Sequence, residues 1–537
     1  MKYNLLKTLL LPLLVAPLFG GHTKMAKDVD VKNGEKEVDV IVRFSREPGD
    51  KEDAKIAKLN GNTKAKLSII KAGVYTMKAK RLLELADDPD VEFITPDRQV
   101  RQLLDVTATT AGADLAWTAG FKGKDVGVAV IDSGVSDPPD LGSRIAYKES
   151  FVSGLSATEA YGHGTHVAGI IAGTGKDSSQ KYRGLAPEAR IINLRVLNNS
   201  GFGTDSAVIA AIQRAIALKN TYNIRVINLS LGRPVVESYV NDPLCQAAEA
   251  AWNAGIVVVA AAGNFGRDNT FGTEGYGTIL SPGNDPHVIT VGAMKSQATT
   301  HRGDDTVASY SSKGPTMVDH IVKPDIVAPG NRVISVSTKG VSLLEKLFPE
   351  NMLGAAYFSM SGTSMATPVV SAAAAILIGK EPSLSPDQVK ARLMKTASKT
   401  FPASSTAQDP LTGQSYTSYY DIFTVGAGYL DITAALSNNE LAIGSARSPQ
   451  AVYDAASKTV NIVTGSGVTW GTGVTWGTGV VWGTGVVWGT GVVWGTGVVW
   501  GTGGNPSGTG VVWGTGIVWG TANPAGESLD VARFGEN

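Results

Sequence analysis

Three short segments place an acid, an imidazole and a hydroxyl where they could act together on one bond. Asp132 ends the apolar run GVAVID, and a carboxylate at the C-terminal end of a buried strand lies where open α/β sheets place their sites. His163 begins the glycine-rich run HGTHVAG, at the expected start of a helix. Ser364 precedes a small-residue helix predicted over 365–378. The N-terminus of a helix offers free N–H groups and a positive dipole end, which favour a developing oxyanion.

This set of residue types is typical of nucleophilic catalysis. A serine hydroxyl barely ionises at neutral pH, so it needs a neighbouring base to take its proton. A histidine oriented by a carboxylate supplies such a base. Each residue alone also has a structural explanation: Asp132 as a turn residue, His163 or His166 as a cap, and Ser364 as an N-cap. The three together, in the order Asp, His, Ser, favour the catalytic interpretation.

At these residues the chain closely resembles the subtilase family of serine proteases. The resemblance covers about 105–437 and rests on the motifs DSG, HGTHVAG, AAGN and GTSMATP. It implies that Ser364 is the nucleophile and that His163 is the general base and later the acid. It implies that Asp132 orients His163 and stabilises its imidazolium. The implied activity is that of a serine endopeptidase acting on protein and peptide substrates through an acyl-enzyme.

The same resemblance assigns roles to two further polar residues. Asn264, in AAAGN, matches the side-chain donor to the oxyanion, beside the backbone N–H of Ser364. His166 then becomes a supporting histidine buried in its helix. Acid-active relatives use an acidic oxyanion residue and a glutamate base, so His163 and Asn264 together predict activity at neutral to alkaline pH.

Substrate recognition is less fully specified. Ser230, Leu231 and Gly232 follow the strand-like run IRVINL and resemble the segment that pairs with an extended substrate backbone. The glycine that usually comes next is Arg233 here, and Leu280 stands where many relatives keep a small residue. The family's preference for large apolar residues is therefore not carried over to this chain.

No cofactor is required by this chemistry, and calcium is the candidate structural ion. Asp140, in DPPDL, resembles a family calcium ligand. The segment expected to complete that site, 173–183, carries Asp177 as its single acid, and the chain has no run of acids spaced like an EF-hand loop. The six histidines show no metal-ligand spacing.

Composition excludes several other classes of protein. The 537 residues include 48 Lys+Arg and 48 Asp+Glu, so the net charge is zero and no nucleic-acid partner is expected. Cys245 is the single cysteine, which excludes an intrachain disulfide framework.

The first 21 residues have a basic start, with Lys2 and Lys7, and an apolar run at 8–19. This run is short for a membrane span, which needs about 20 residues. A signal peptide and an extracellular, periplasmic or cell-surface location are predicted.

A small domain is predicted between the signal peptide and the catalytic motifs, at 22–104 with a core at 38–100. Its pattern is α+β, with the order strand, helix, strand, helix, strand: 38–44, 50–59, 73–79, 80–86 and 91–95. By resemblance it is the inhibitory propeptide of a self-processed zymogen, cleaved between about 98 and 110. The alternative is an ordinary accessory domain.

The catalytic motifs fall within 105–437, which is predicted to be a doubly wound α/β domain with a mostly parallel sheet. Unbroken apolar runs suit strands that are buried on both faces, and they occur at 126–131, 190–196, 225–229 and 257–261. Apolar residues at helical spacing predict a helix over 205–218. A linker, 438–458, is expected to follow.

The last part of the chain is a repeat. Residues 459–526 carry no charge and repeat VVWGTG every six residues, and a tail follows at 527–537. Valine and tryptophan favour strands, whereas G-T-G favours turns, so a β-type repeat is predicted, with a disordered Gly-rich segment as the alternative. Contact with a cell surface or a polysaccharide is the expected role. A second functional hypothesis makes self-assembly the purpose and the subtilase-like domain a minor or inactive module.

Overall fold

The computed structural model divides the chain into two compact units, Met1–Gln102 and Leu103–Asn537. The residues it describes are 24–26, 29, 31, 34–96, 106–270, 272–409, 412–454, 459–463, 468–470, 474–476, 480–482, 486–488, 493–494, 498–499, 531, 533, 535 and 536. The predicted signal peptide and the predicted cleavage region up to residue 105 lie outside them.

The first unit is a four-stranded antiparallel sheet with two helices. Its elements are β1 (Glu37–Phe44), α1 (Asp50–Lys58), β2 (Asn62–Leu67), β3 (Ala72–Lys78), α2 (Arg81–Ala86) and β4 (Val91–Pro96). The strands lie in the order β2-β3-β1-β4. The alternation in β1 buries Val40, Val42 and Phe44 against Ile56 and Leu82. The order β-α-β-β-α-β is that of a split βαβ fold.

The second unit contains a mostly parallel sheet. Its strands are β5 (Gly127–Asp132), β6 (Ile145–Ser150), β7 (Arg190–Arg195), β8 (Ile224–Leu229), β9 (Val257–Ala261), β10 (Ile289–Lys295), β11 (Thr306–Val307) and β12 (Ile326–Pro329). Their order is β11-β10-β9-β8-β5-β7-β6, with β12 also paired to β10. All pairs are parallel except β10 with β11. The predicted mostly parallel α/β domain is confirmed.

Helices and smaller sheets surround this sheet. The helices are α3 (Thr107–Ala111), α4 (Ala113–Thr118), α5 (His163–Ala172), α6 (Asp205–Ala217), α7 (Lys219–Tyr222), α8 (Pro243–Asn253), α9 (Leu343–Leu347), α10 (Thr363–Lys380), α11 (Pro386–Thr396), α12 (Ile422–Val425) and α13 (Ile432–Ser437). The remaining strands up to Val463 are β13 (Val333–Val336), β14 (Met352–Leu353), β15 (Tyr357–Met360), β16 (Ser404–Gln408), β17 (Ser415–Tyr419), β18 (Ala442–Ile443), β19 (Gln450–Asp454) and β20 (Thr459–Val463).

The helix α10 is the centre of the second unit. It is apolar and 18 residues long, sufficient by length and composition to cross a membrane, but 83% of it is buried inside the protein. Its alanines and its valines pack in the main core together with β8, β9 and β10. It is therefore a core helix, and it fixes the position of the serine at its first turn.

Residues 442–454 and 459–463 belong to the same unit, although the sequence assigns them to the linker and the start of the repeat. The strands β19 and β20 form an antiparallel hairpin whose Ala451 is buried. Ala446 lies in a cluster with Phe423 and Met394. The backbone N–H of Val322 donates a hydrogen bond to the carbonyl of Pro449 at 2.8 Å.

In the repeat, the described residues are short strands. They are β21 (Val468–Trp470), β22 (Val474–Trp476), β23 (Val480–Trp482), β24 (Val486–Trp488), β25 (Val493–Trp494) and β26 (Val498–Val499). Successive strands pair antiparallel, β21 with β22, β23 with β24 and β25 with β26. The repeat from residue 500 to 526 lies outside the described residues.

The buried carboxylate of Asp325, directly before β12, pairs with two buried lysines. Asp325, Lys323 and Lys390 are all fully buried. The ammonium of Lys323 lies 2.7 Å from one oxygen of Asp325, and that of Lys390 lies 3.1 Å from the other. Both ammonium groups also donate to the carbonyl of Val288. Burial alone would raise the pKa of Asp325, but the charges of Lys323 and Lys390 lower it below its ordinary value.

Replacing Asp325 by asparagine is expected to destabilise the fold by about 3–5 kcal/mol, because two buried ammonium groups lose their counter-charge. The free energy of unfolding is to be measured by denaturant titration. Asp125→Asn is the matched control, since Asp125 is half-exposed and pairs with Arg190 at the surface, where such a pair contributes about 0–1 kcal/mol. Equal losses in the two variants would contradict the expectation.

Candidate active site

The carboxylate of Asp132 lies at the C-terminal end of the central strand β5. This strand pairs with β7 on one side and with β8 on the other, so Asp132 lies where the strand order reverses. Asp132 is fully buried. Its Oδ1 accepts hydrogen bonds from the backbone N–H of Ser133 at 2.7 Å and from the hydroxyl of Ser133 at 3.1 Å. These donors fix the orientation of the carboxylate.

The imidazole of His163 lies directly against this carboxylate. Its Nδ1 is 2.8 Å from Oδ1 of Asp132, and its side chain is 14% exposed at the first residue of α5. Burial lowers the pKa of His163, but the charge and the hydrogen bond of Asp132 outweigh burial and raise it above its ordinary value. A carboxylate at Nδ1 places the proton there, which leaves Nε2 free to accept one.

A second buried carboxylate, Glu159, was not identified from the sequence. Its Oε2 accepts hydrogen bonds from the hydroxyl of Ser133 at 3.1 Å and from the N–H of Thr165 at 3.0 Å. Its Oε1 accepts from the N–H groups of Ala160 and Tyr161. Burial raises the pKa of Glu159, and its charge in turn raises the pKa of His163. The available signal was an acid four residues before the histidine in EAYGH.

Ser364 is the second residue of α10 and not the residue before the helix, as the sequence suggested. Its hydroxyl donates to the carbonyl of Ser230 at 3.2 Å, and the hydroxyl of Ser230 donates to the carbonyl of Ser364 at 2.8 Å. Gly362 precedes the helix with φ of +146°, and a Cβ there would lie 3.2 Å from Nδ2 of Asn264. A glycine is therefore required for the approach of Asn264 to the serine turn.

Asn264 is fixed by the same turn. Its Oδ1 accepts hydrogen bonds from the backbone N–H of Thr363 at 2.9 Å and from the hydroxyl of Thr363 at 3.0 Å. With Oδ1 engaged, Nδ2 is the group left to donate to a ligand. The N–H of Ser364 belongs to the first turn of α10, where backbone donors have no acceptor within the helix. Two donors are thus available beside the serine hydroxyl.

His166 lies on the same helix as His163 but away from solvent. It is fully buried, and its Nε2 donates to the carbonyl of Phe358 at 2.9 Å, with the carbonyl of Val333 at 3.2 Å. Burial lowers its pKa to about 3, so this histidine stays neutral. The expectation of a buried supporting histidine agrees with these contacts.

The segment predicted to bind substrate follows β8. Ser230 contacts Ser364 as described, and a Cβ on Gly232 would lie 3.0 Å from Cβ of Leu280. Arg233 and Ser281 pair through both of their backbone hydrogen bonds, at 3.0 and 2.8 Å. The side chain of Arg233, which replaces the family's usual glycine, is held by Asp205 and by the buried Asp242, at 2.9 and 2.8 Å. Leu280 is half-buried beside Gly232.

Asp140 was the candidate calcium ligand, and its surroundings do not fit that ion. One oxygen accepts from the N–H of Asp177 at 2.9 Å, and the other accepts from the hydroxyl of Tyr357. The carboxylate of Asp177 lies 3.7 Å from the ammonium of Lys339. Calcium takes about six to eight oxygen ligands, whereas here both oxygens of Asp140 accept hydrogen bonds and the second acid, Asp177, faces an ammonium group.

The chain is similar in sequence to known proteases over more than half of its length. The model of the subtilase family matches residues 123–418. The chain is 40% identical to serine protease AprX of Bacillus subtilis (strain 168) over 59% of this chain and 71% of that protein. It is 38% identical to subtilisin DY of Bacillus licheniformis over 53% of this chain and 88% of that protein. It is 33% identical to subtilisin E of Bacillus subtilis (strain 168) over 64% and 79%.

The chain therefore belongs to the subtilase family of serine proteases. It is a subtilisin-like serine endopeptidase, a hydrolase that cleaves peptide bonds.

Proposed function

We propose that Ser364, His163 and Asp132 are the catalytic triad of this endopeptidase. The observation that carries the proposal is the 2.8 Å contact between His163 and the buried Asp132, at the sheet edge where Ser364 also lies. The hydroxyl of Ser364 attacks the substrate carbonyl carbon while Nε2 of His163 takes its proton. The imidazolium, stabilised by Asp132, then gives this proton to the leaving amine, and the acyl-enzyme forms. A water molecule then attacks the acyl-enzyme with the same two proton transfers through His163, which releases the carboxylic-acid product and restores the hydroxyl of Ser364.

The oxyanion of the tetrahedral intermediate is assigned to two donors, Nδ2 of Asn264 and the N–H of Ser364. Thr363 holds Asn264 before the reaction starts, so no reorganisation is needed when the charge develops. We assign Ser230, Leu231 and Gly232 to binding the backbone of extended protein or peptide substrates. Support comes from their position after β8 and from the contact of Ser230 with Ser364.

Glu159 is proposed to tune His163, and its replacement by glutamine should move the pH profile. Only neutral His163 accepts a proton, so activity is lost as the pH falls through the pKa of His163, which is raised above 6.5. Removal of the charge of Glu159 lowers that pKa, and the acid limb should shift to lower pH. The check is kcat/KM against pH, which reports the free enzyme. An unchanged limb would show that Glu159 is neutral in the working range.

The fluorophosphonate reaction tests the triad directly. Such a probe phosphonylates an activated serine, so the mature protein should gain one adduct that peptide mapping places on Ser364. The Ser364→Ala variant should gain none. An adduct on another residue, or no adduct on the processed protein, would contradict the assignment.

The remaining organisation is also proposed from the sequence. We propose a secreted precursor with a signal peptide at 1–21, a propeptide at 22–104 that inhibits the enzyme and is removed by it, and a catalytic domain at 105–437. The compact unit formed by β1 to β4 supports a separate propeptide, because its hydrophobic core contains residues from that unit alone among the described residues. The repeat at 459–526 is proposed to contact a cell surface or a polysaccharide, supported by its paired strands. The proposed chemistry requires no cofactor, and any structural calcium would bind at a site other than Asp140.

A further inference from the structure

Residues that follow the repeat pack into the catalytic unit. Val531 is 3% exposed and belongs to the main core. Glu536 is 1% exposed, and its Oε1 accepts from the guanidinium of Arg267 at 3.0 Å and from the N–H of Ser309 at 2.6 Å. The hydroxyl of Ser309 donates to the same oxygen. A carboxylate buried with three donors is a built site for an acidic peptide.

The backbone of this segment is also recognised. The side-chain amide of Asn331 donates to the carbonyl of Glu536 at 3.0 Å and accepts from its N–H at 2.8 Å. Gly535 has φ of +57°, and a Cβ there would lie 2.4 Å from Oγ of Ser361 and 2.6 Å from Oδ1 of Asn331. The residues around this segment form a groove lined by Arg267, Ser309, Asn331 and Ser361. It takes a glycine followed by a glutamate, because a larger residue before the glutamate would collide with Ser361 and Asn331.

The groove joins the two segments that carry the candidate oxyanion donors. Arg267 lies three residues after Asn264, and the N–H of Gly266 donates to the carbonyl of Tyr310, next to Ser309. On the other wall, the N–H of Gly362 donates to the carbonyl of Gly330, next to Asn331. Glu536 bonds to Ser309 and to Asn331, so it bridges the Asn264 segment and the turn before Ser364.

Arg267 depends on this bridge. Its side chain is 6% exposed, and its Nε donates to the hydroxyl of Ser309 at 2.8 Å. Its two terminal nitrogens are divided between Asp409 and Glu536. Without Glu536 a buried guanidinium loses one of its two counter-charges, and the segment that holds Asn264 keeps the bonds of Thr363 but loses this second contact with the opposite wall.

We propose that the segment containing Val531, Gly535 and Glu536 is an intramolecular ligand of this groove and that Glu536 is a positioning residue for Asn264. This inference rests on the proposed oxyanion role of Asn264. It also implies that the repeat strands from Val468 onward are joined to the catalytic unit at both ends, through β20 before them and through Val531 after them.

The test uses the full chain with Glu536→Ala and, independently, Gly535→Ala. Active sites are titrated with a fluorophosphonate, and kcat and KM on a short peptide are expressed per labelled site. Both variants should lose about tenfold in kcat with KM unchanged, because a displaced donor affects the transition state most. Glu440→Ala is the control for loss of a carboxylate: Glu440 pairs with Lys395 at the surface, and kcat should not change.

Coupling to Asn264 separates positioning from simple stabilisation. In an Asn264→Ala background, Glu536→Ala should cause little further loss of kcat, because the donor it positions is gone. A kcat per labelled site that stays at the wild-type value in both tail variants, with only fewer active sites, would overturn the proposal. If Asn264→Ala alone leaves kcat unchanged, the oxyanion assignment of Asn264 fails. A tenfold loss of kcat in Glu536→Ala would then arise through another residue, and this would also refute the positioning of Asn264.

Discussion

Replacing Ser364 by alanine is expected to lower kcat/KM by roughly 10⁶-fold and to leave the substrate's KM nearly unchanged. In the proposed mechanism the hydroxyl both forms the acyl-enzyme and is the group that His163 activates, so its loss would disable the triad as a unit. A residual rate of roughly 10³–10⁴ over the uncatalysed reaction should persist, because the two oxyanion donors and the substrate segment remain. Steady-state hydrolysis of a short chromogenic peptide measures the change.

The same substitution reports on maturation. If the first unit is removed by the enzyme's own site, the Ser364→Ala precursor should keep residues 38–100 attached, whereas the wild-type protein releases them. Ser437→Ala, at the exposed end of α13, is the control, since its neighbour Leu436 contacts Lys380 at the opposite end of α10 from Ser364. Hydrolysis at near wild-type rate in Ser364→Ala would contradict the assignment of the nucleophile.

The sheet was predictable because its strands are buried on both faces. Runs such as 126–131 and 257–261 are apolar throughout, the pattern expected of strands buried on both faces. The structure has these runs as β5 and β9, with ends displaced by no more than one residue. By contrast β2 was missed, because its sequence NTKAKL is almost wholly exposed at the sheet edge and carries no alternation.

The candidate site was predictable to the extent that its residues lie in local motifs. Asp132, His163, Asn264 and Ser364 each come with glycines and small residues that mark a turn at a strand end or a helix start. Glu159 has no such context, and its role appears only when Ser133 and Thr165 are brought around it. Glutamate is usually a surface residue, and Glu159 becomes part of the site because tertiary contacts bury it.

The segment 531–536 lay beyond sequence reasoning for the same physical reason. All four candidate groups precede residue 437, so the sequence suggests that hydrolysis does not depend on anything after the repeat. The structure places Glu536 against Arg267, 269 positions away along the chain. Contacts of that separation leave no periodic signal, because periodicity reports the local helix or strand and not its distant partner.

Asn264→Ala is expected to lower kcat by about 10²- to 10³-fold with little change in KM, the loss typical of one oxyanion donor. The substrate carbonyl is only weakly charged in the ground state, so the bond to Nδ2 strengthens when the oxyanion forms and the effect appears in kcat. Asn264→Asp is the sharper variant. It keeps an oxygen for the two donors of Thr363, 2.9 and 3.0 Å away, but replaces the amide donor by a negatively charged acceptor. Asn264→Asp should therefore lose at least as much as the alanine variant at neutral pH. If both variants changed KM alone, Asn264 would be a substrate-binding residue and the oxyanion would need another donor.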